Sequence, residues 1–598
     1  MAVQATLEPD DFLGVSHSLS GRRWRARAAD PDLVREHQIR QHLSEPVARA
    51  LASRGVDGDS VETFLRPSLK TQFPDPSSFA GMDAAAVVLI EALVDGTAMT
   101  VFADYDVDGA TSAAQLVRWF RHMGVDLPIY VPDRLTEGYG PSPAVFRGLK
   151  AGGVQLVITV DCGAAAHDAL AAAEEIGLGV VVIDHHLMRE APAPSTALIV
   201  NPNRPDCASG QGALAAAGVT FILLAALNRE ARRRGLFADR AEPDLRRWLD
   251  LAALGAICDV TQLVGFNRAL TTQGLRVMSA WANPGLAALM DVAQSKRERA
   301  TAFHAGWVLG PRINAGGRVG RSDLGARLLA TDDPAEAAEL ARELDALNTG
   351  RREAEGRILE AAINAVEHEA NFDPAGAAIV VAGEDWHAGI IGIVAGRMRE
   401  RYRKPVVVIG IDRAANIGRG SGRSSPGVNL GAAIQDAYEA ALLLSGGGHA
   451  MAAGLTLRPA MIPDLRVFLD QRLAGEFGIA DDALDIDALI TPEAATPNLL
   501  AEFQSLAPYG PGNPEPSLAL AASRVERAGV VRGGHVRCVI GRDLKAIAWR
   551  AEDTALGRRL LAGGALHIAG RLKRDDWNGR SGVQFEIEDA ADPRQMTS

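Results

Sequence analysis

The chain has 598 residues, 47% of them apolar and only 5% aromatic, so its cores must rest on Ala, Val, Leu and Ile. A net charge of −12 gives no global sign of nucleic-acid binding, nor does it exclude it, because the placement of charge outweighs the sum. Cys162, Cys207, Cys258 and Cys538 are far apart and form no CxxC pair, which excludes a disulfide framework or a structural zinc site and suits a reducing cytosol. No apolar run approaches the ~18 residues of a spanning helix, and no signal-peptide pattern opens the chain. A cytoplasmic location with no membrane partner is the expectation.

At about 150 residues per domain, roughly four domains are expected. Residues 1–75 are polar with helical patches and read as an N-terminal extension; its basic run Arg22 to Arg27 reads as solvated surface. Over 76–330, β runs such as "AMTVFAD", "VQLVITVD" and "LGVVVIDHH" alternate with Ala-rich helical stretches, the pattern of βαβ units around a parallel sheet. Over 331–370, Asp333 caps a helix with Pro334 at its first position, and Leu340, Leu344, Leu347, Ile358, Leu359 and Ile363 keep helical spacing. This segment predicts a long connecting helix of about 55 Å at ~1.5 Å per residue. A second α/β segment covers 371–480. Residues 481–516 end in a Pro/Gly-rich stretch and read as a linker. Residues 517–598 turn to short alternating strands with one helical patch, "TALGRRLLA", and predict a small β-barrel of OB type.

The acids carry the chemistry. Asp104 ends "MTVFAD" and opens the run Asp104, Asp106, Asp108. Asp161 ends "LVITVD", and Asp184 ends "GVVVID" with His185 and His186 behind it. One Asp after a strand is usually a turn former or a helix cap. Three strands each ending in acid are harder to explain that way, because the C-terminal edge of an open parallel sheet is where ligands bind. Asp259, in "GAICDV", is a further candidate and ambiguous by itself. An Asp/His set without Cys suits hard or borderline ions, and imidazole favours Mn²⁺ over Mg²⁺. Several aspartates can hold two metals ~3.5–4 Å apart, the arrangement of phosphatases and nucleases. Two divalent ions and a phosphoester substrate are the expectation.

"ADYDVDG", "TVDCG", "IDHH" and "GAICDV", in this order and spacing, resemble the four motifs of the DHH phosphoesterases. "EGYGPS", "LGPRINAGGRVG", "WHAGIIGIVAGR", "GSGRSSPGVNL", "SGGGHAMAAG" and "PYGPGNPEP" extend the likeness over nearly the whole chain, towards the RecJ family of single-strand-specific 5′→3′ DNA exonucleases. The resemblance implies an α/β protein: a DHH catalytic domain with a parallel sheet (76–330), the connecting helix, an α/β DHHA1 domain (371–480) and a C-terminal OB-fold. It implies Asp106, Asp108, Asp161, His185 and Asp259 as metal ligands. Many DHH enzymes have a ligand His where Phe102 stands here; Asp104 is expected to take its place. His186 is expected at the scissile phosphate or the leaving group. The metals implied are two Mn²⁺ or Mg²⁺.

For phosphate, "GSGRSSPGVN" offers backbone N–H groups, Arg423 and Ser424, and "GGGHAMAAG" offers Gly447, Gly448 and His449, glycines allowing close backbone approach. Arg312, Asn314 and Arg318 in "GPRINAGGR", with Tyr139 and His387, complete the expected substrate contacts. Residues 521–598 hold 14 Lys/Arg against 10 Asp/Glu, a net of +4 that leaves −16 on the remainder. Trp549, Trp577 and Phe585 there are candidates to stack on bases, though each taken singly reads more readily as a core residue than as a platform. The implied partner is single-stranded DNA. The resemblance adds single-strand-binding protein and a RecQ-type helicase, a monomeric state, release of 5′-mononucleotides, and roles in recombination and repair. Two other readings are a DHH phosphoesterase of oligoribonucleotides or cyclic dinucleotides, for which a C-terminal OB-fold has no evident use, and a non-catalytic DNA-binding relative, which would lose the acids retained here.

Overall fold

The computed structural model describes residues 11–134, 136–192, 197–368, 376–476, 483–575 and 582–593. The chain forms two compact units. One combines the N-terminal part up to Phe73, the excursion Gln262–Thr272 and the C-terminal barrel; the other holds the two α/β domains and the connecting helix. The first strand, β1 (Trp24–Ala26), belongs to the barrel unit.

The catalytic sheet comprises β2 (Met99–Ala103), β3 (Ile129–Tyr130), β4 (Leu156–Val160), β5 (Gly179–Ile183) and β6 (Leu198–Val200), in the order β3-β2-β4-β5-β6 and parallel throughout. β2 and β4 are buried at every position, which is why "MTVFA" and "LVITV" run apolar rather than alternating. Helices Val107–His122 and Ala216–Arg233 pack beside this sheet and Leu249–Cys258 packs on both of them, each with an apolar or Ala-rich buried face.

The expected connector is one helix, Pro334–His368, begun by Asp333, whose carboxylate accepts from the Ala335 N–H at 2.8 Å. A buried network pins it. Arg351 bonds Glu355 at 2.6 Å, Glu355 also pairs with Arg397, and Arg351 donates to Asn348 at 2.9 Å. Arg397 lies on helix Ala388–Tyr402 of the second α/β domain, so the connector and that domain are fixed to each other through ions as well as apolar contacts. That domain's sheet holds β7 (Ile379–Glu384), β8 (Val406–Asp412), β9 (Ile417–Arg423), β10 (Ser445–His449) and β11 (Ala452–Leu457), in the order β10-β11-β9-β8-β7. Only the β7–β8 pair is parallel.

The barrel unit departs from expectation at two places. Residues 481–516 are not a plain linker: they carry β12 (Leu484–Ile486), β13 (Ala488–Ile490) and helix Pro497–Gln504. β13 adds to the barrel through β14 (Leu518–Val531). Nor is the N-terminal part a free extension. β1 pairs in parallel with β12, and Val47, Leu51 and Val61 share one core with Phe503, Leu520 and Phe585. The basic run is accordingly spent on ion pairs: Arg22 with Glu588, Arg25 with Asp485 and Arg27 with Asp487. The remaining strands are β15 (His535–Ile540), β16 (Leu544–Ala548), β17 (Gly564–Asp575) and β18 (Gly582–Ala591). Their order β14-β15-β16-β18-β17 closes through β14–β17, with helix Ala555–Leu561 between the third and fourth strands. This is a five-stranded OB barrel. Phe585 is fully buried in it and Trp549 is half exposed; Trp577 lies outside the described residues.

Candidate metal centre

The acids of β2, β4 and β5 meet at the C-terminal edge of the parallel sheet. Asp104 follows β2 and is buried, and its Oδ1 makes no hydrogen bond. Asp106 caps helix Val107–His122, accepting from the N–H groups of Asp108 at 2.8 Å and Gly109 at 3.1 Å. The glycine is required: a Cβ there would stand 2.4 Å from the Asp104 carbonyl oxygen. Asp108 turns inward and accepts from Ala216 N at 2.7 Å and Ala217 N at 2.9 Å, the first amides of the next helix. Its negative charge sits on that helix's positive end. Asp161 follows β4 with φ 61°, a left-handed conformation that costs a non-glycine residue of order 1–3 kcal/mol and concentrates at functional sites. Asp259 closes helix Leu249–Cys258.

His185 is the hub. Its Nε2 lies 3.3 Å from Asp161 Oδ1, 3.6 Å from Asp259 Oδ2 and 3.8 Å from Asp108 Oδ2, yet makes no hydrogen bond. Burial, then the neighbouring His186, holds its pKa down to about 4, so the ring is neutral and its nitrogen is free to ligate. Asp184 points the other way. It accepts from Ala164 N, His185 N, His186 N and His186 Nδ1 at 2.7–3.1 Å. Burial alone would raise its pKa, but these bonds hold it at about 2. It therefore orients both histidines rather than ligating, a second layer behind the ligands. Burial tends to lower the pKa of His186, but the hydrogen bond to Asp184 lifts it to about 9. Tyr139 Oη donates to the Asp161 carbonyl at 3.1 Å and lies 3.3 Å from His186 Nε2.

The cluster is short of positive charge. Burial and the Asp106 charge push Asp104 up to about 8 and Asp259 to about 7. Burial and neighbouring carboxylates push Asp108 and Asp161 well above the ordinary range. Three sets of ligand atoms each lie within 4.8 Å: Asp104, Asp106, Asp161; Asp108, His185, Asp259; and Asp161, His185, His186. Two unpartnered buried atoms, Asp104 Oδ1 and His185 Nε2, face different sets, which fits two cations that share Asp161.

The expected substrate residues divide. Arg318 and Arg423 make no ion pair among the described residues. Arg318 donates to the Gly389 carbonyl at 3.3 Å, and Arg423 to the Gly422 carbonyl at 2.8 Å. Burial lowers the pKa of Arg318 to about 10, and burial lowers those of Arg423 and His387. In all three the next cause is one guanidinium, Arg134, which also acts on Asp104. Arg134 is stacked 5.1 Å over the ring of Tyr105, the residue between Asp104 and Asp106. Sequence reasoning missed it, because "VPDRLTEG" carries no periodic or glycine signal around the Arg. Asn201 and Asn203 were also missed; they hold the His186 and His185 carbonyls at 2.8 and 2.6 Å. Their position after β6, at the same sheet edge, was the available signal.

His387 caps helix Ala388–Tyr402 through a bond from Gly389 N at 3.1 Å. Asn314 lies one turn before Arg318 on the same helix face. In the β9/β11/β10 register Arg423, Ala452 and His449 form one row, with His449 exposed. Gly447 and Gly448 belong to this hairpin; Gly448 has φ 155°, and a Cβ there would meet the Ala452 carbonyl at 2.4 Å. Arg312 is corrected: it is buried, pairs with Asp345 of the connecting helix at 2.8 Å and donates to the Val308 carbonyl at 2.8 Å. Ser424 is corrected too, its buried hydroxyl spent on the Val428 carbonyl at 2.8 Å.

Comparison with known proteins agrees with this architecture. The DHH family N-terminal domain matches residues 98–256, the DHHA1 domain 375–475 and the RecJ OB domain 486–589. A single-stranded-DNA-specific exonuclease RecJ of Bacillus subtilis (strain 168) is 33% identical, covering 96% of this chain and 71% of its own. That of Dickeya dadantii (strain 3937) is 35% identical over 92% of this chain and 97% of its own. The chain belongs to the RecJ family. A crystal structure of RecJ from Thermus thermophilus in complex with Mn²⁺ superposes with a TM-score of 0.80 at 31% identity, covering 95% of this chain and 79% of that one. The DHH, DHHA1 and OB domains follow one another along the chain in the order expected from the motifs.

Proposed function

We propose that this RecJ-family chain is a single-stranded-DNA-specific 5′→3′ exonuclease that releases 5′-mononucleotides in DNA recombination and repair. The observation that carries the reading is the meeting of five aspartates and His185 at one sheet edge. Asp104, Asp106, Asp108, Asp161, His185 and Asp259 would hold two divalent ions, Mn²⁺ or Mg²⁺. Bound there, the ions activate a water and offset charge building on the phosphoryl group. Burial and His186 keep His185 neutral, while Asp184 holds the His185 backbone amide and keeps His186 protonated. His186 then donates a hydrogen bond or a proton to the phosphate or the leaving 3′-oxygen. Arg134, Arg318 and Arg423, with His387, hold phosphate oxygens and so fix the strand end in register with the acids. The OB barrel, with its net positive tail and the exposed Trp549, binds the strand further along.

Among the described residues no single helix is long and apolar enough to cross a membrane. A cytoplasmic monomer that works with single-strand-binding protein and a RecQ-type helicase is the family-based part of the proposal. The test is cleavage of end-labelled single- and double-stranded DNA in Mn²⁺: mononucleotides should leave the 5′ end of the single strand only.

A further inference from the structure

One aromatic pair is absorbed neither by the core nor by the phosphate grip. Phe303 is 61% exposed and Trp307 is 70% exposed, four residues apart, the first just before and the second within a widened helical turn, His304–Leu309, that opens helix Gly310–Val319. Burying either ring would be worth several times what a small side chain gains, so two such rings held out in water are unusual. Turns of this π type concentrate at functional sites. This one packs on the residues that carry a metal ligand. A Cβ on Gly306 would meet Ile257 at 3.6 Å, one on Gly310 would meet the Cys258 Sγ at 2.6 Å, and that Sγ donates to the Ala305 carbonyl at 3.5 Å. Asp259 is the next residue, and Val260 after it is 65% exposed with φ 59°. On the far side His304 packs against Trp281 and bonds Thr301, fixing the turn. The turn that carries the two rings, and the exposed Val260, therefore adjoin the helix end that bears Asp259.

We propose that Phe303 and Trp307 are a base-stacking shelf for the nucleotides next to the scissile phosphate, and that it selects single strands because only an unpaired base unstacks readily from its neighbours to lay a face on the rings. The proposal rests on the exonuclease reading above. The occupant follows from continuity: whatever phosphodiester reaches Asp259 must lay its flanking bases along this turn, and an aromatic face accepts any base. The Arg134, Arg318 and Arg423 group holds the backbone and carries no information on pairing; the shelf supplies it.

The test uses the full-length enzyme with Mn²⁺ and single strands carrying one abasic site, stepped through the nucleotides nearest the 5′ end. At the shelf position, wild type should lose about tenfold to a hundredfold in kcat/KM, mostly through KM, the size expected of a lost base–aromatic stack. Trp307→Ala should show that loss on the intact strand and none further on the abasic one; Trp307→Phe should restore most of both. An abasic penalty of the same size in Trp307→Ala, or a wild type indifferent to abasic sites at every position, would overturn the shelf. The wild-type series needs no variant to fold. If wild type leaves intact single strands uncut, it is the exonuclease reading that fails.

Discussion

At the residue scale, each acid at the sheet edge is tied to an amide, a helix end or a histidine, so single changes have distinct expected effects. Asp106→Ala removes a ligand and a helix cap together, and should abolish the rise in melting temperature that Mn²⁺ gives wild type. Asp104→Asn should separate stability from function. It relieves the burial cost and the repulsion that lift Asp104 to about 8, so the metal-free protein should melt about 1 °C higher, the shift of ~1 kcal/mol in a chain of this size. Nuclease activity should fall about 10³-fold, as several kcal/mol of metal stabilisation is lost. The same carboxylates set a pH dependence. Asp259 and Asp104 have folded-state values of about 7 and about 8, against an ordinary 3.8. Groups raised in this way stabilise the fold most below about pH 4, and that stability is lost as pH rises through 7 to 8. Calorimetry should therefore show the metal-free protein weakening from about pH 5 to pH 8, with Mn²⁺ adding more to the melting temperature at pH 8 than at pH 5. These acids were legible in the sequence because each ends an apolar run, a pattern that fixes both the element and its edge. Arg134 was not, since a loop arginine acquires its meaning only from the groups the fold brings around it.

Elements divide between those that grip and those that brace. Arg312 and Arg318 stand on one helix six residues apart, and the sequence marked both for phosphate. Their partners separate them. Arg312 ties its helix to the connector through Asp345, while Arg318 has only a carbonyl partner. Arg312→Ala should lower stability by about 1–3 kcal/mol, less than a fully buried pair because Asp345 is partly exposed. It should leave KM for DNA near wild type. Arg423→Ala should do the reverse, raising KM about tenfold or more with little change in melting temperature, as expected for a charged hydrogen bond made to the ligand rather than within the fold. Thermal melts and steady-state kinetics on the same two variants decide this. Ser424 was misread for a similar reason: "SGRSSPG" has the composition of a phosphate loop, but its hydroxyl closes the loop on Val428.

At the scale of the whole molecule, domain order was legible and domain membership was not. The barrel strands and the connecting helix follow from periodicity. That the N-terminal residues share the barrel's core does not, because such pairings join positions more than 400 residues apart and no local pattern encodes them. The consequence is a warning about truncation. Removing 517–598 should leave Val47, Leu51 and Val61 without their core, and the product should aggregate or melt non-cooperatively whether or not the catalytic unit survives. The salt dependence of the intact enzyme is the cleaner probe of the barrel. A slope of roughly −0.7 in log K against log salt for each phosphate neutralised should be reduced when the exposed Arg532 and Arg550 of the barrel are replaced together by Gln.

The most direct test of the central claim is digestion of a single-stranded oligomer labelled at its 5′ end, in Mn²⁺, by wild type and by Asp106→Ala. A metal centre built from these strand-end acids predicts labelled mononucleotide from wild type and intact DNA with the variant. Long DNA left whole by wild type while dinucleotides or cyclic dinucleotides are cleaved, or equal cleavage by wild type and variant, would contradict it.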